Sequence, residues 1–266
     1  MENIKTLEQI KRPWVVAHRG YRGSYPENTL VAFEAAIGVN ADMIELDVSL
    51  TRDRIPVVIH DNTLNRTTNG SGPVSEHTLA ELKELDAGSW FSAKFSGEVI
   101  PTLEELLMSV KGRITVNIEI KPESFEFPAI PDGIESQICE LVEKHEMGDS
   151  VLISSFEHFF FARIHRWYRN QGKSTLPKIA PLQEAPLSEE LVLGLCSRQD
   201  AYSFHPDENF VTPSLIEKLK KDGFRIFPYT INEEKRMEEL IQWGVTGIIS
   251  DEPELVWKVI RKLWVD

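Results

Sequence analysis

The sequence predicts an α/β chain folded as a (β/α)₈ TIM barrel with a small insertion after the second strand. Three observations carry that expectation. Apolar strand-like runs and helical patterns alternate along the whole of the 266 residues, as in a parallel sheet. There are eight of each, and eight such units in about 250 residues is the size of a closed barrel. One segment, about 62–100, fits no strand–helix unit.

The strands are expected at Trp14–Ala17, Met43–Val48, Ile114–Ile120, Val151–Ser154, Lys178–Leu182, Ala201–Phe204, Arg225–Thr230 and Gly247–Ser250, each an apolar run of strand length. Helical periodicity follows at Thr29–Val39, Leu103–Val110, Gly133–Lys144, His158–Tyr168, Ser188–Leu195, Pro213–Lys221, Glu233–Trp243 and Pro253–Leu263. Asn28-Thr29 reads as a helix cap. One further apolar run, Pro56–His60, follows Leu50 too closely for a parallel crossover. It reads as the return arm of a hairpin that brings His60 beside Leu46 and Asp47. The segment from Asn62 to Ile100 is rich in turn formers and holds one helical pattern, Thr78–Leu85. An insertion of this length above a barrel strand suits a lid or small subdomain, with Trp90 and Phe91 expected over the mouth. One domain, residues 1–266, is the economical reading.

Composition narrows the function. Hydrophobic residues make up 41% and charged residues 27% of the chain, as in ordinary globular proteins, and the net charge is −13. That balance argues against nucleic acid or an anionic membrane as the main partner. No stretch has the roughly 18 apolar residues of a spanning helix, so no stable membrane insertion is expected. The first ten residues lack the apolar core of a signal peptide. The only cysteines, Cys139 and Cys196, lie in helix-like segments and suit a reducing cytoplasm.

Candidate chemistry gathers where barrel active sites lie, at the C-terminal ends of the strands. His18 ends the first strand. Alternation places Glu45 and Asp47 on one face of the second, and Glu119 and Lys121 on one face of the third. Three carboxylates from two strands suit one hard divalent cation, Mg²⁺ or Ca²⁺. His18 and His60 are the candidate proton carriers. Arg19 and Lys121 are suited to a phosphate, although strict alternation points Arg19 away and only the Gly20 turn would release it. His205 is expected to reach the rim as pocket wall or substrate contact. His77, His145, His158 and His165 read as surface.

These residues also resemble a known family. His18-Arg19-Gly20, Pro26-Glu27-Asn28-Thr29, Glu45-Leu46-Asp47-Val48, Pro56 through Asp61, Arg66-Thr67-Thr68-Asn69-Gly70, Pro101 through Glu105 and Asn117 through Lys121 together resemble the glycerophosphodiester phosphodiesterases. The match continues more weakly through Ser154-Ser155-Phe156, Tyr229-Thr230-Ile231-Asn232 and Gly244–Pro253. The resemblance implies a barrel with an insertion after the second strand and a cation held by Glu45, Asp47 and Glu119. It implies His18 and His60 as the acid/base pair, with Arg19 and Lys121 near the phosphate. Phe156 and Tyr229 enter as candidate substrate contacts, Tyr229 standing where many members carry Trp. The implied substrate is a small glycerophosphodiester, split to sn-glycerol 3-phosphate and an alcohol. The rival readings are a lysophospholipase D-type enzyme, with Trp90, Phe91 and Phe95 grooving an acyl chain, and a non-catalytic ligand-binding barrel.

Overall fold

Each strand forms where the sequence runs apolar and stops where charge, glycine or proline intervenes. In the computed structural model, which describes residues 10–173 and 175–264, the strands are β1 (Trp14–Ala17), β2 (Met43–Leu50), β3 (Pro56–Val58), β4 (Thr115–Ile120), β5 (Val151–Ser155), β6 (Lys178–Gln183), β7 (Ser203–Pro206), β8 (Arg225–Ile226) and β9 (Gly247–Ser250). The α-helices are α1 (Leu30–Gly38), α2 (Leu79–Lys83), α3 (Leu103–Val110), α4 (Ile134–Lys144), α5 (Phe159–Asn170), α6 (Glu189–Gln199), α7 (Pro213–Lys221), α8 (Glu234–Trp243) and α9 (Pro253–Leu263). The reading that no signal peptide is present concerns residues 1–9, outside the described range.

The strands pair in the order β8-β7-β6-β5-β4-β2-β1-β9, all parallel. β3 returns antiparallel on β2, with Val48 opposite Val58 and Leu50 opposite Pro56. The barrel closes where β8 meets β9, through single bonds rather than a ladder: Thr246 N donates to Ile226 O at 3.0 Å and Ile249 N to Pro228 O at 3.1 Å. Proline explains the gap. Phe227 and Tyr229 donate to β7, at Phe204 O and Pro206 O. The intervening residue, which would donate to β9, is Pro228 and has no N–H. The strand expected over Arg225–Thr230 is therefore regular only at Arg225–Ile226.

Alternation sorts the strand side chains into two layers. Trp14, Val16, Met43, Leu152, Ala180, Phe227 and Ile249 point inward and fill the barrel. Their neighbours point outward. Ile44, Leu46, Val116, Ile118 and Ile153 pack under α1, α3, α4 and α5, while Val15, Phe204, Ile226 and Ile248 pack under α6 through α9. Several helices begin at side-chain caps. Thr29 accepts from Ala32 N, and Thr102 forms a reciprocal cap with Glu105.

The insertion leaves β3 and carries its own core, Leu64, Val74, Leu82, Ala87 and Ile100 against Val57 and Ile59. Its helix α2 is shorter than the sequence pattern suggested. β7 runs later than expected, to Pro206, and takes His205 into the strand. His165, expected at the surface, lies on the buried face of α5.

The interior tolerates no side chain at Gly247. A Cβ there would lie 2.6 Å from the Trp14 Cβ and 2.7 Å from the Phe227 ring, two rings that meet edge to face at 6.3 Å. Gly247→Ala should destabilise the barrel by about 1–3 kcal/mol through overpacking. An unchanged urea midpoint would contradict this packing.

Candidate active site

The parallel register of β2 and β4 sets Asp47 opposite Glu119. With Glu45 on the same face, the three offer carboxylate oxygens within 4.8 Å of one another, all buried. Each is held. Glu45 Oε2 accepts from Arg19 N at 2.9 Å, and Asp47 Oδ2 from Asn28 Nδ2 at 2.9 Å. Lys121 Nζ lies 2.9 Å from Glu119 Oε1 and 3.6 Å from Asp47 Oδ1. Arg19 Nε lies 3.3 Å from Asp47.

The protein's own charges leave this cluster short of cations. Burial, then the neighbouring carboxylates, push Glu45 well above the usual range. Burial and Asp47 push Glu119 up to about 7 despite Lys121. Burial acts on Asp47 in the same direction, but the charges of Arg19 and Lys121 override it and hold it low. Carboxylates so strained electrostatically, with oxygen donors only, fit a hard divalent cation.

Two histidine–aspartate pairs flank the triad. His18 Nδ1 lies 2.7 Å from Asp251 Oδ1, and His60 Nδ1 lies 2.7 Å from Asp61 Oδ1. Both aspartates are held at about 2. For Asp251 burial opposes ionisation and the hydrogen bond with His18 leads the groups that favour it. For Asp61 the bond from Arg66 dominates. Ionised carboxylates only accept, so each imidazole directs an N–H at Nδ1 to its aspartate and leaves Nε2 to take up or give a proton. His18 Nε2 lies 3.9 Å from Glu45. Burial lowers both histidines from the ordinary imidazole value, against the pull of the neighbouring aspartates.

Arg19 reaches the site because the backbone breaks out of strand geometry. Its φ is +54° and that of Gly20 is +79°, so Arg19 turns inward directly after His18. Only glycine fits at position 20, where a Cβ would sit 2.7 Å from the Ala32 carbonyl carbon. His18, Arg19, Glu45, His60, Asn117, Glu119 and Lys121 line one side of a cavity of about 520 Å³. Phe156, Leu182, Glu184, Asp207 and Tyr229 line the other. Tyr229 donates its hydroxyl to Gln183 O at 2.7 Å and meets Phe156 edge to face at 6.1 Å.

Two expectations change. His205 does not line the cavity. It is 1% exposed, pairs with Ser203 Oγ at 3.0 Å and packs on Phe227. Burial takes its imidazole down to about 3, so it is a neutral residue of the barrel wall. Trp90 and Phe91 do not line the cavity either. Phe91 packs on Phe95, which packs on Tyr25, and no residue of 62–100 lines the cavity. Trp90, Phe91 and Phe95 thus add no apolar wall to this cavity. The rim position of Asp251, directly after β9, is the signal that could have found it. Glu27, Asn28, Arg22 and Arg66 sit in loops whose meeting no local pattern announces.

The comparisons with known proteins agree with this geometry. Residues 18–255 match the model of the glycerophosphoryl diester phosphodiesterase family. A glycerophosphodiester phosphodiesterase of Caldanaerobacter subterraneus is 41% identical over 249 residues, 93% of this chain and 98% of that protein. A phosphodiesterase of Oleispira antarctica, solved in complex with the product sn-glycerol-3-phosphate, superposes with a TM-score of 0.83 at 31% identity, over 94% of this chain and 97% of that one. A glycerophosphodiester phosphodiesterase of Agrobacterium tumefaciens gives 0.77 at 29%, over 92% and 98%. With its triad, its paired histidines and a family match that spans nearly the whole barrel, this chain belongs to the glycerophosphoryl diester phosphodiesterase family.

Proposed function

We propose that this protein hydrolyses glycerophosphodiesters to sn-glycerol 3-phosphate and an alcohol, with one divalent cation, Mg²⁺ or Ca²⁺, held by Glu45, Asp47 and Glu119. The observation that carries the reading is one cavity lined by Glu45 and Glu119 of the buried triad, by His18 and His60, each oriented by its own aspartate, and by Arg19 and Lys121. The cation, when bound, offsets charge on the phosphate oxygens. Arg19 and Lys121 add fixed positive charge beside it. One histidine takes the proton of the glycerol hydroxyl next to the esterified carbon as that oxygen attacks phosphorus. The other gives its proton to the departing alcohol. The resulting cyclic phosphate is opened by water, with the roles exchanged. Direct attack by water uses the same two groups. No described helix is long and apolar enough to cross a membrane. Both cysteines are free and buried, which supports a cytoplasmic setting.

The opposite wall of the cavity supports a preference for cationic alcohols. Phe156 and Tyr229 present rings, and Glu184 and Asp207 lie beside them, with Glu123 also at the cavity. Rings and carboxylates together favour an ammonium group.

Three outcomes test this. Chelation should abolish turnover of glycerophosphocholine, and Mg²⁺, Ca²⁺ or Mn²⁺ should restore it. Glu119→Gln should weaken metal affinity without unfolding the barrel. Full activity in excess chelator would sink the reading.

The histidines should leave a pH signature. Burial disfavours the imidazolium, so the base stays neutral to lower pH than a free imidazole. The acid limb of kcat/KM should therefore fall below pH 6.5. His18→Ala and His60→Ala should each cost on the order of 10²-fold or more in kcat. A p-nitrophenyl ester, which needs no general acid, should rescue only the variant lacking the acid. Near-normal turnover of glycerophosphocholine by either variant would refute the mechanism.

The alcohol preference should appear as a kcat/KM for glycerophosphocholine and glycerophosphoethanolamine about tenfold above that for glycerophosphoglycerol. Glu184→Gln with Asp207→Asn should collapse the ratio. Equal rates for all three in the unaltered enzyme would remove the proposed role of that wall.

A further inference from the structure

Glu27 does not line the main cavity, yet every polar contact of its side chain leads toward it. The side chain is 1% exposed. Its Oε1 accepts from Arg19 Nη1 at 2.8 Å and Arg66 Nη2 at 2.7 Å. Its Oε2 accepts from Arg22 Nε at 2.9 Å and Arg66 Nη1 at 2.8 Å. Burial opposes its ionisation, but the bond from Arg66 and the charges of Arg19, Arg22 and Arg66 hold it far below the usual carboxylate range.

From this carboxylate two arms of the same composition run outward. In one, Arg22 Nη1 reaches both Asp251 oxygens at 3.2 Å, and Asp251 holds His18. In the other, Arg66 reaches Asp61 at 2.7 Å through Nε and 2.9 Å through Nη2, and Asp61 holds His60. Three guanidiniums and three carboxylates (Glu27, Asp61, Asp251) balance in charge. The arms join segments far apart in the chain: the loop after β1, the end of β9 and the insertion. Removing the Glu27 charge would leave three guanidiniums converging on one point, and their repulsion would displace both Arg22 and Arg66.

We propose that Glu27 is a positioning residue that sets both histidines at once, through Arg22 and Asp251 on one side and Arg66 and Asp61 on the other. The kinetic part of this rests on the reading above, that His18 and His60 carry the protons. The structural part does not.

The test pairs a spectroscopic readout with kinetics on the Mg²⁺-loaded full-length protein. In ¹⁵N-histidine-labelled enzyme, the ring nitrogen shifts of His18 and His60 report which nitrogen carries the proton. Glu27→Gln should perturb both rings. Arg22→Lys should perturb His18 alone and Arg66→Lys His60 alone. Glu27→Gln should lower kcat for glycerophosphocholine on the order of 10²-fold, with a smaller change in KM. The double variant of Arg22→Lys and Arg66→Lys should be no worse than Glu27→Gln, since parts acting as a unit are not additive. A folded Glu27→Gln enzyme with either ring unchanged overturns the proposal. If Glu27→Gln does not fold, the two arginine variants decide, and a ring that ignores its own arginine overturns it. Shifted rings with unchanged kcat would uphold the network and instead overturn the assignment of the histidines as proton carriers. A wild-type enzyme that leaves glycerophosphocholine intact would count against the reading of the activity, and the ring shifts would still decide the role of Glu27.

Discussion

Three buried carboxylates with oxygens within 4.8 Å of one another impose the constraint that organises this barrel. Isolated, such groups would protonate or refuse burial. Here β2 and β4 force Glu45, Asp47 and Glu119 together by register, and the surroundings are arranged to tolerate the charge. Asn28 and the Arg19 amide donate to two of them, and Lys121 and Arg19 face them. The raised Glu45 and Glu119 show that these partners leave room for more positive charge. The oxygen donors of the triad are thus suited to a cation.

The same requirement explains the ring of arginines behind the triad. Arg19 serves the site directly, and Arg22 and Arg66 serve it at one remove. None would be stable so close together without Glu27. The insertion takes part here in an unexpected way. It contributes no lining to the cavity, and through Arg66 it anchors the aspartate that holds His60. Its small core on β3 is what keeps that arginine in place.

Much of this was legible in the sequence, for identifiable reasons. Strand alternation is a rigid rule, so Glu45, Asp47, Glu119 and Lys121 share an interior in the order alternation implies. The hairpin arithmetic that returned His60 to Asp47 holds as well, with Ile59 N donating to Asp47 O at 3.0 Å. Arg19 was harder, because a left-handed backbone overrides alternation and only Gly20 hinted at it. Asn28-Thr29 reads as a cap, and Thr29 is one; Asn28 also holds Asp47, which no local pattern suggests. Asp251 meets a histidine 233 positions away. Local rules describe one element at a time, and these contacts exist only where loops of different units converge. Trp90 and Phe91 misled for the opposite reason: aromatics in a long insertion suggest a lid, and here they pack on each other and on Phe95, which meets Tyr25.

The strand order divides the cavity in a way that bears on how such a protein can change. β9, β1, β2 and β4 are contiguous and carry the triad, the paired histidines and the arginine network. β5, β6, β7 and β8 are contiguous too, and from their ends come Phe156, Leu182, Glu184, Asp207 and Tyr229. One half-barrel is locked by long-range charge pairing, so most single changes in it disturb several groups at once. The other half presents side chains joined by ring packing, as between Phe156 and Tyr229, rather than by charge pairs. Drift in the second half can reshape what the cavity accepts while the first half stays fixed, which makes this barrel a scaffold in which selectivity is free to evolve and chemistry is not.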